Sequence, residues 1–526
     1  MIDWLYIVTG SIIGTLLVWA FKISHLSILG SSIKAPDTEY HLLLIDKIKK
    51  NKNNPFNIKD ERFIVNPNFS YPYLLHWLLS FFKLTSVEFF QNKIQIFIKT
   101  NVTLLMSLMT GFVASKTIDG ISGFSLFLSC FLGSILYGFS PVNRCIYWWA
   151  QYDYQLSPRS VGMLLTIAVE ASILLYVHYD HHVWTALIVI FICLTCLSSR
   201  FALQAQFLLL IGLCTLLGSV YSLGIFTLGI ILAIAVTNGN YFQLLLTHFR
   251  HFHVYATRTT FQHPDARLIN PLTSNSIPLI FKYLKKGYFR ELFDLLQRDV
   301  ILRPIAFFPL HISCIVLTIS NYGYVCNNNL LKYCFVIWVI MWSVCFLTSF
   351  KYTKFLGEAD RYVEFGAIFP AIILTVCVGL QNYNNLIILT TSISLFTGWY
   401  FFLSEYQPKV SYNEDPNEVD LYNHLSRINT NNAVIACIPM YKSRPLASKL
   451  GFRIMCYLSQ LTVQKYDDVI KSYPLLRLEK NILIKYGVTH VLVYKWLLDD
   501  PYVIEHTSSL ELLYENPIAC LYRFPH

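Results

Sequence analysis

The sequence predicts a polytopic α-helical membrane protein of about eleven transmembrane helices, followed by a small C-terminal α/β domain. Three observations carry that expectation. First, 55% of the 526 residues are hydrophobic and only 14% are charged, where a soluble chain carries about 25% charged residues. A soluble enzyme is excluded, because no water-facing fold buries such a surplus of apolar surface. Second, the apolar residues fall in runs close to the roughly 20 that a spanning helix needs. Third, the charge balance changes after residue 404: residues 405–526 carry 13 basic and 13 acidic residues, so the whole net charge of +10 belongs to residues 1–404.

The runs lie near 4–21, 93–115, 121–140, 160–178, 183–198, 201–217, 220–238, 304–321, 331–350, 363–381 and 385–404. Nothing basic precedes the first and no small-residue cleavage site follows it, so it reads as a span and not as a signal peptide. Ser198, Ser199 and Arg200 are the only break in the long apolar stretch 183–217. Eleven spans put 22–92, 141–159, the tip at Arg200, 239–303, 351–362 and the tail on one face, with tight turns on the other. Of the 41 Lys and Arg, only Lys116 and Lys332 fall at the turn side. The positive-inside rule makes the loop-rich face cytoplasmic, while a face that grips anionic lipid phosphates is equally basic; both readings stand.

The densest basic segment is 239–303, with nine Lys and Arg plus His248, His251, His253 and His263. Its amphipathic part, 282–298, suits an anionic membrane interface. Basic residues tied to membrane flanks, with no soluble basic domain, argue against nucleic acid as a partner. The thirteen Cys sit mostly inside apolar runs (Cys193, Cys196, Cys214, Cys345) with no His ligands nearby, and read as small core residues and not as a disulfide or zinc framework. In the tail, a helix is expected from about Asp415 to Arg427, strands at 433–438 and 489–495, a helix at 476–486, and a hairpin over 511–523 around Asn516 and Pro517. No Gly-rich phosphate loop, GxSxG elbow or HExxH helix occurs there, so the tail is expected to support the chemistry or bind an acceptor.

Candidate chemistry begins in the first loop with APDTEYHLLLIDKIKK at 35–50, followed by YPYLLHWLLSFF at 71–82. Asp37 and Glu39 form an acidic pair at a membrane edge, where carboxylates are costly unless paired or functional. Asp37 equally fits as the N-cap of the helix after it. His41 and His76 lie on amphipathic helices, as packed or surface histidines, His41 being also a candidate acceptor or metal contact. Asp153, in the aromatic loop YWWAQYDYQ, and Glu358 and Asp360, near Arg361, are further candidates for acceptor or metal contact.

These segments resemble the GT-C superfamily of membrane glycosyltransferases, which use polyprenyl-phosphate-linked sugars. Asp37-Thr38-Glu39 matches the acidic motif that follows their first span. FLGEADRYVEF at 355–365 is similar to an acid-Arg-Tyr element opening a late span, and YGVTHVLV at 486–493 with LELLYENPIACLYRF at 510–524 to a small C-terminal domain. The WWDYG-type signature of oligosaccharyltransferases is absent, WWAQYDY at 148–154 being a distant echo.

The resemblance implies a polyprenyl-phosphate-linked sugar as donor and a glycan or protein acceptor, with membrane lipids around the enzyme and the active face extracytoplasmic. It makes Asp37 the general base for the acceptor hydroxyl; Glu39 orients Asp37 or helps to hold a divalent metal such as Mg or Mn, with metal use left open. The phosphate leaving group needs a matching cation, best a guanidinium fork. Arg361 and Arg200 are isolated arginines at span edges on the predicted face of Asp37, and Tyr362 could add a hydrogen bond. Arg361 pairing with Glu358, Asp360 or Glu364, and Arg200 snorkelling to the interface, are the structural alternatives. A transporter or flippase of lipid-linked saccharides is the other class of function; the inverted repeats and matching broken spans of transporters are not seen. An oligosaccharyltransferase or polysaccharide polymerase differs from the first reading in its acceptor.

Overall fold

The computed structural model describes residues 2–29, 38–69, 71–121, 123–139, 156–254, 276–299, 301–320, 322–350, 353, 356, 359–367, 369–372, 385–404, 416–428, 430, 432–457, 468–472 and 475–525. Contacts divide the chain into two compact units. One holds Met1–Ile33, Phe89–Tyr241 and Arg267–Lys409; the other holds Lys34–Glu88, Phe242–Ala266 and Val410–His526. The tail therefore shares a unit with much of the first loop, a grouping that a boundary drawn at 404 from charge balance does not anticipate.

The first unit is helical. Asp3–Ser27, Leu84–Thr117, Pro158–Tyr179, Arg200–Leu217 and Asn329–Thr348 are long and apolar enough to cross a membrane, and Gly123–Phe139, His182–Ser198 and Tyr221–Val236 are shorter apolar helices. Without a hydrophobic drive between helices in lipid, close approach relies on small residues and polar contacts. A Cβ at Gly10 would lie 2.5 Å from the Phe127 carbonyl oxygen, and one at Gly14 2.7 Å from Ser134 Cβ. The first helix can thus lie this close to Gly123–Phe139 only with glycine at both positions. The Ser107 hydroxyl, 2.8 Å from that of Ser11, donates to the Cys130 carbonyl at 2.8 Å and ties a third helix to the pair.

The polar break at 198–200 does separate two helices. Ser199 ends His182–Ser198 and opens Arg200–Leu217 in an extended conformation, its Oγ accepting the Ala202 amide at 3.4 Å. The run 304–321 departs from expectation, being split into Leu302–Phe307 and Leu310–Ser320. Phe308 leaves the helical region at φ −138° and ψ 72°, as the residue before Pro309 is pushed to do. The run 363–381 opens as a 3-10 segment, Ala359–Gly366, before a short helical stretch at 369–372; Pro370, with no amide hydrogen, suits the start of that helix. The amphipathic stretch 282–298 is two helices, Ser276–Lys286 and Phe289–Arg298, turning at Gly287 with φ +68°.

The second unit is built on a five-stranded sheet. In chain order its strands are β1 (Val434–Ile438), β2 (Arg453–Ile454), β5 (His490–Tyr494), β6 (Glu511–Glu515) and β7 (Ala519–Arg523), while β3 (Ile470–Ser472) and β4 (Leu475–Leu476) form a separate antiparallel pair. The order across the sheet is β2-β1-β5-β7-β6. β1 runs parallel to β2 and β5, and β7 antiparallel to β5 and β6. β1 is buried along its whole length, which is why it reads as a continuous apolar run without alternation. The hairpin turn is held by Asn516, whose Oδ1 accepts the Ile518 and Ala519 amides at 3.1 and 2.9 Å.

Residues 62–65 of the first loop extend this sheet. The Ile454 amide donates to the Arg62 carbonyl at 2.7 Å, and the Ile64 and Val65 amides donate to the carbonyls of Ile454 and Met455 at 3.1 and 3.0 Å. Phe63 sits in one core with Phe452, Leu421 and Leu446, so the short edge strand β2 is covered and not left open. Asp60 anchors the segment, with Arg62 Nη2 at 2.6 Å and Lys47 Nζ at 3.1 Å. Burial alone would raise the Asp60 carboxyl; the Arg62 hydrogen bonds and charge, with Lys47, outweigh it and hold it below the usual carboxylate range.

Candidate functional site

Asp37 lies outside the described residues. The helix Thr38–Lys50 starts at the next position, and Glu39 is in its first turn. Two residues on, His41 is buried, with Nδ1 2.9 Å from Nε2 of His76 on the helix Leu74–Ser80. Tyr71 lies against both imidazoles, at 5.9 Å and 5.6 Å. Burial, and after it the neighbouring His41, hold His76 well below the usual imidazole range, so His76 is neutral in this pair. Tyr40 packs against Phe69 and Tyr457, and the Arg444 guanidinium lies 5.7 Å from the Tyr40 ring and 4.8 Å from the Tyr457 ring. The first turns after the acidic pair are thus fixed by buried contacts on two sides. His41, singled out for acceptor or metal contact, is placed as half of a histidine pair. Among the described residues no group of three His, Cys, Asp or Glu converges as a metal site would require.

In the other unit, Arg361 is half-buried in the 3-10 segment Ala359–Gly366, which also holds Asp360. Asp153 and Glu358 lie outside the described residues. Tyr362 is fully buried, and its hydroxyl donates to the Leu356 carbonyl at 2.6 Å, a carbonyl that also accepts from Gln204 Nε2. Its place is therefore within the packing that fixes the Arg361 turn. The Tyr362 ring lies 4.9 Å from Phe201, which also approaches Phe365 at 6.2 Å. Phe201 follows Arg200 and Tyr362 follows Arg361, so this ring contact brings the backbones of the two arginines to one end of the helical unit.

That end holds residues that the sequence reading passed over. Lys22 and His25 are buried one helical turn apart on Ile2–Leu29, at 3% and 0% exposure. Lysine at a span edge ordinarily snorkels to the interface, and the available signal was the Lys-His spacing of three. Gln91, Asn92 and Gln95 are buried at the start of Leu84–Thr117. Gln95 Nε2 donates to Ser160 Oγ at 2.6 Å, and its Oε1 accepts the Ser157 amide at 3.3 Å. Glu170 is a further omission: it is buried in mid-span on Pro158–Tyr179, and neither carboxyl oxygen has a hydrogen-bond partner among the described residues.

No protein-family model and no curated protein sequence matches the chain. Among solved structures it is similar to ArnT from Cupriavidus metallidurans bound to undecaprenyl phosphate, with a TM-score of 0.55 at 9% identity over 98% of this chain and 97% of that one. It is also similar to the Archaeoglobus fulgidus oligosaccharyltransferase tethered with an acceptor peptide, with a TM-score of 0.56 at 10% identity over 93% of this chain and 69% of that one. The same oligosaccharyltransferase in complex with Zn and sulfate gives 0.51 at 14% identity, over 93% and 68%. At such identities the shared property is the fold, and it is the fold that the resemblance to the GT-C superfamily implies.

Proposed function

We propose that the protein is a membrane glycosyltransferase that moves a sugar from a polyprenyl-phosphate-linked donor to a hydroxyl of a lipid-linked glycan, polysaccharide or protein acceptor. The observation that carries this is the match along nearly the whole chain to a structure holding undecaprenyl phosphate, joined to the contact of Phe201 with Tyr362, the residues that follow Arg200 and Arg361 in the chain. In this reading the chain has about eleven spans, with residues 1–404 as the membrane part and 405–526 as a small domain. Asp37 takes the proton of the acceptor hydroxyl as that oxygen attacks the anomeric carbon, and the bond to the polyprenyl phosphate breaks. Arg361 and Arg200 hold the departing phosphate, whose charge grows as the bond opens. Glu39 orients Asp37 or helps to hold a divalent metal such as Mg or Mn; proton removal and phosphate binding both run through the chain's own side chains.

The purified protein in detergent, given a polyprenyl-phosphate sugar labelled in the sugar and a polyprenyl-linked glycan, is expected to move label to the glycan and release polyprenyl phosphate. Flipping of the donor across reconstituted vesicles with no covalent product would replace this reading with the transporter one.

The loop-rich face and the tail are proposed to be extracytoplasmic, because a donor whose phosphate has been flipped outward presents its sugar there. The expected result for Ser509→Cys, an exposed position in the tail, is labelling by an impermeant thiol reagent in intact cells. Protection until the cells are opened would reverse the orientation and leave the parity of the spans untouched.

A further inference from the structure

The helix that follows the acidic pair, Thr38–Lys50, is tied at two points to one short helix of the tail, Ser443–Ser448. The first point is Tyr40, three positions after Asp37. Its ring is buried, and the Arg444 guanidinium lies 5.7 Å from its centroid and 4.8 Å from that of Tyr457. Both distances are inside the roughly 6 Å at which a cation is drawn to an aromatic face. Arg444 Nη2 also donates to the Tyr457 hydroxyl, and the two tyrosine rings are 5.7 Å apart. The second point is Lys47, whose ammonium meets the Asp60 carboxylate at 3.1 Å. Asp60 holds Arg62 Nη2 at 2.6 Å, and Arg62 Nη1 donates to the Ala447 carbonyl.

Spacing makes these contacts a clamp. Tyr40 and Lys47 are seven residues apart, two turns and about 10 Å along one face of a helix. Leu43, between them on that face, packs against the core that holds Leu446 and Ala447. Arg444 and Ala447 are about one turn apart on the tail helix. Two anchored points fix both the rotation of Thr38–Lys50 about its axis and its shift along it, and with them the place where the chain enters the helix from Asp37. All of these residues belong to one compact unit. Arginine suits the first point, because a flat guanidinium faces aromatic rings while donating in its own plane, and a lysine ammonium does not.

We propose that Arg444 is a positioning residue: acting through Tyr40, it sets the first turn of Thr38–Lys50 from the tail, so that Asp37 is presented to the acceptor hydroxyl. The inference rests on the reading of Asp37 as the base, and it gives the tail a part in the transfer step that is separate from acceptor binding.

The test compares full-length Arg444→Lys and Tyr457→Phe with wild type. Misplacing a reacting group by about 1 Å can cost 10²-fold. Arg444→Lys is therefore expected to lower kcat about ten- to a hundredfold and to leave KM for the lipid-linked donor unchanged. Tyr457→Phe, which keeps the ring and loses only the hydroxyl, is expected to show a smaller fall in the same direction. In an Asp37→Asn background Arg444→Lys is expected to cost nothing further, because residues that act through one step are not additive. A fall by the same factor in both backgrounds, or a kcat equal to wild type, overturns the assignment and leaves the transferase reading standing. Amide hydrogen exchange gives a readout independent of turnover. The amides of residues 42–44, which bond back to the carbonyls of the first turn, are expected to exchange faster in Arg444→Lys, while those of β1 keep wild-type protection and show the tail folded. Unchanged exchange at 42–44 overturns the clamp whether or not transfer is detected. Faster exchange there, in a protein whose wild type transfers no sugar, removes the transferase reading and with it the role given to Arg444. If Arg444→Lys does not fold, Tyr457→Phe is judged by the same criteria.

Discussion

Asp37→Asn is expected to lower sugar transfer by roughly 10²- to 10⁴-fold, the usual contribution of a positioned general base, with no change in melting temperature. The stability arm separates the two roles open to this residue. Asn and Asp are about equally good N-caps, so if Asp37 only caps the helix that starts at Thr38, the variant keeps both fold and turnover. As the base, an amide in its place cannot accept the acceptor's proton, and turnover falls while the cap survives. The buried His41 and His76 pair, two positions beyond Glu39, holds the following turn of the helix independently of residue 37. Transfer measured beside thermal unfolding decides: near-normal turnover would take the base role from Asp37.

The parts of this architecture that were legible in the sequence are those with local causes. A span needs a long apolar run because no water reaches its backbone, and Ser199 could be read as a boundary because a serine there can cap the next helix and does so. The hairpin around Asn516 and Pro517 has the same local character. The interrupted run, 304–321, shows the limit of counting apolar residues, since Pro309 acts on Phe308 through a single clash that mean hydropathy does not register.

Non-local pairing left no such trace. Residues 62–65 join a sheet whose nearest strand is almost 400 residues away in sequence, and four residues of loop carry no pattern that names their partner. The candidate site divides in the same way. Arg200 and Arg361 stood out as arginines at the edges of apolar runs. Lys22 did not, because the same letter at a span edge describes both a snorkelling lysine and one buried among helices. For Tyr362 the deciding fact is the carbonyl of Leu356, six residues back, which takes its hydroxyl.

That carbonyl also shapes what is expected of Arg361→Lys. The turn bearing Arg361 is held in part by the Tyr362 hydroxyl on Leu356 and by the Phe201 ring, neither of which involves the guanidinium. Lysine keeps the charge and loses the fork, which grips two phosphate oxygens at once and which a flexible ammonium does not reproduce. Loss of one charge-assisted contact of this kind costs about 1.5–3 kcal/mol, or about ten- to a hundredfold in donor affinity. Titration of polyprenyl phosphate against wild type and Arg361→Lys, with thermal unfolding of both, measures it. If the affinities are equal and the variant only melts earlier, Arg361 serves to pair with the carboxylates around it, Glu364 among them. The phosphate contact then passes to Arg200, one Phe201 ring away on the adjoining helix.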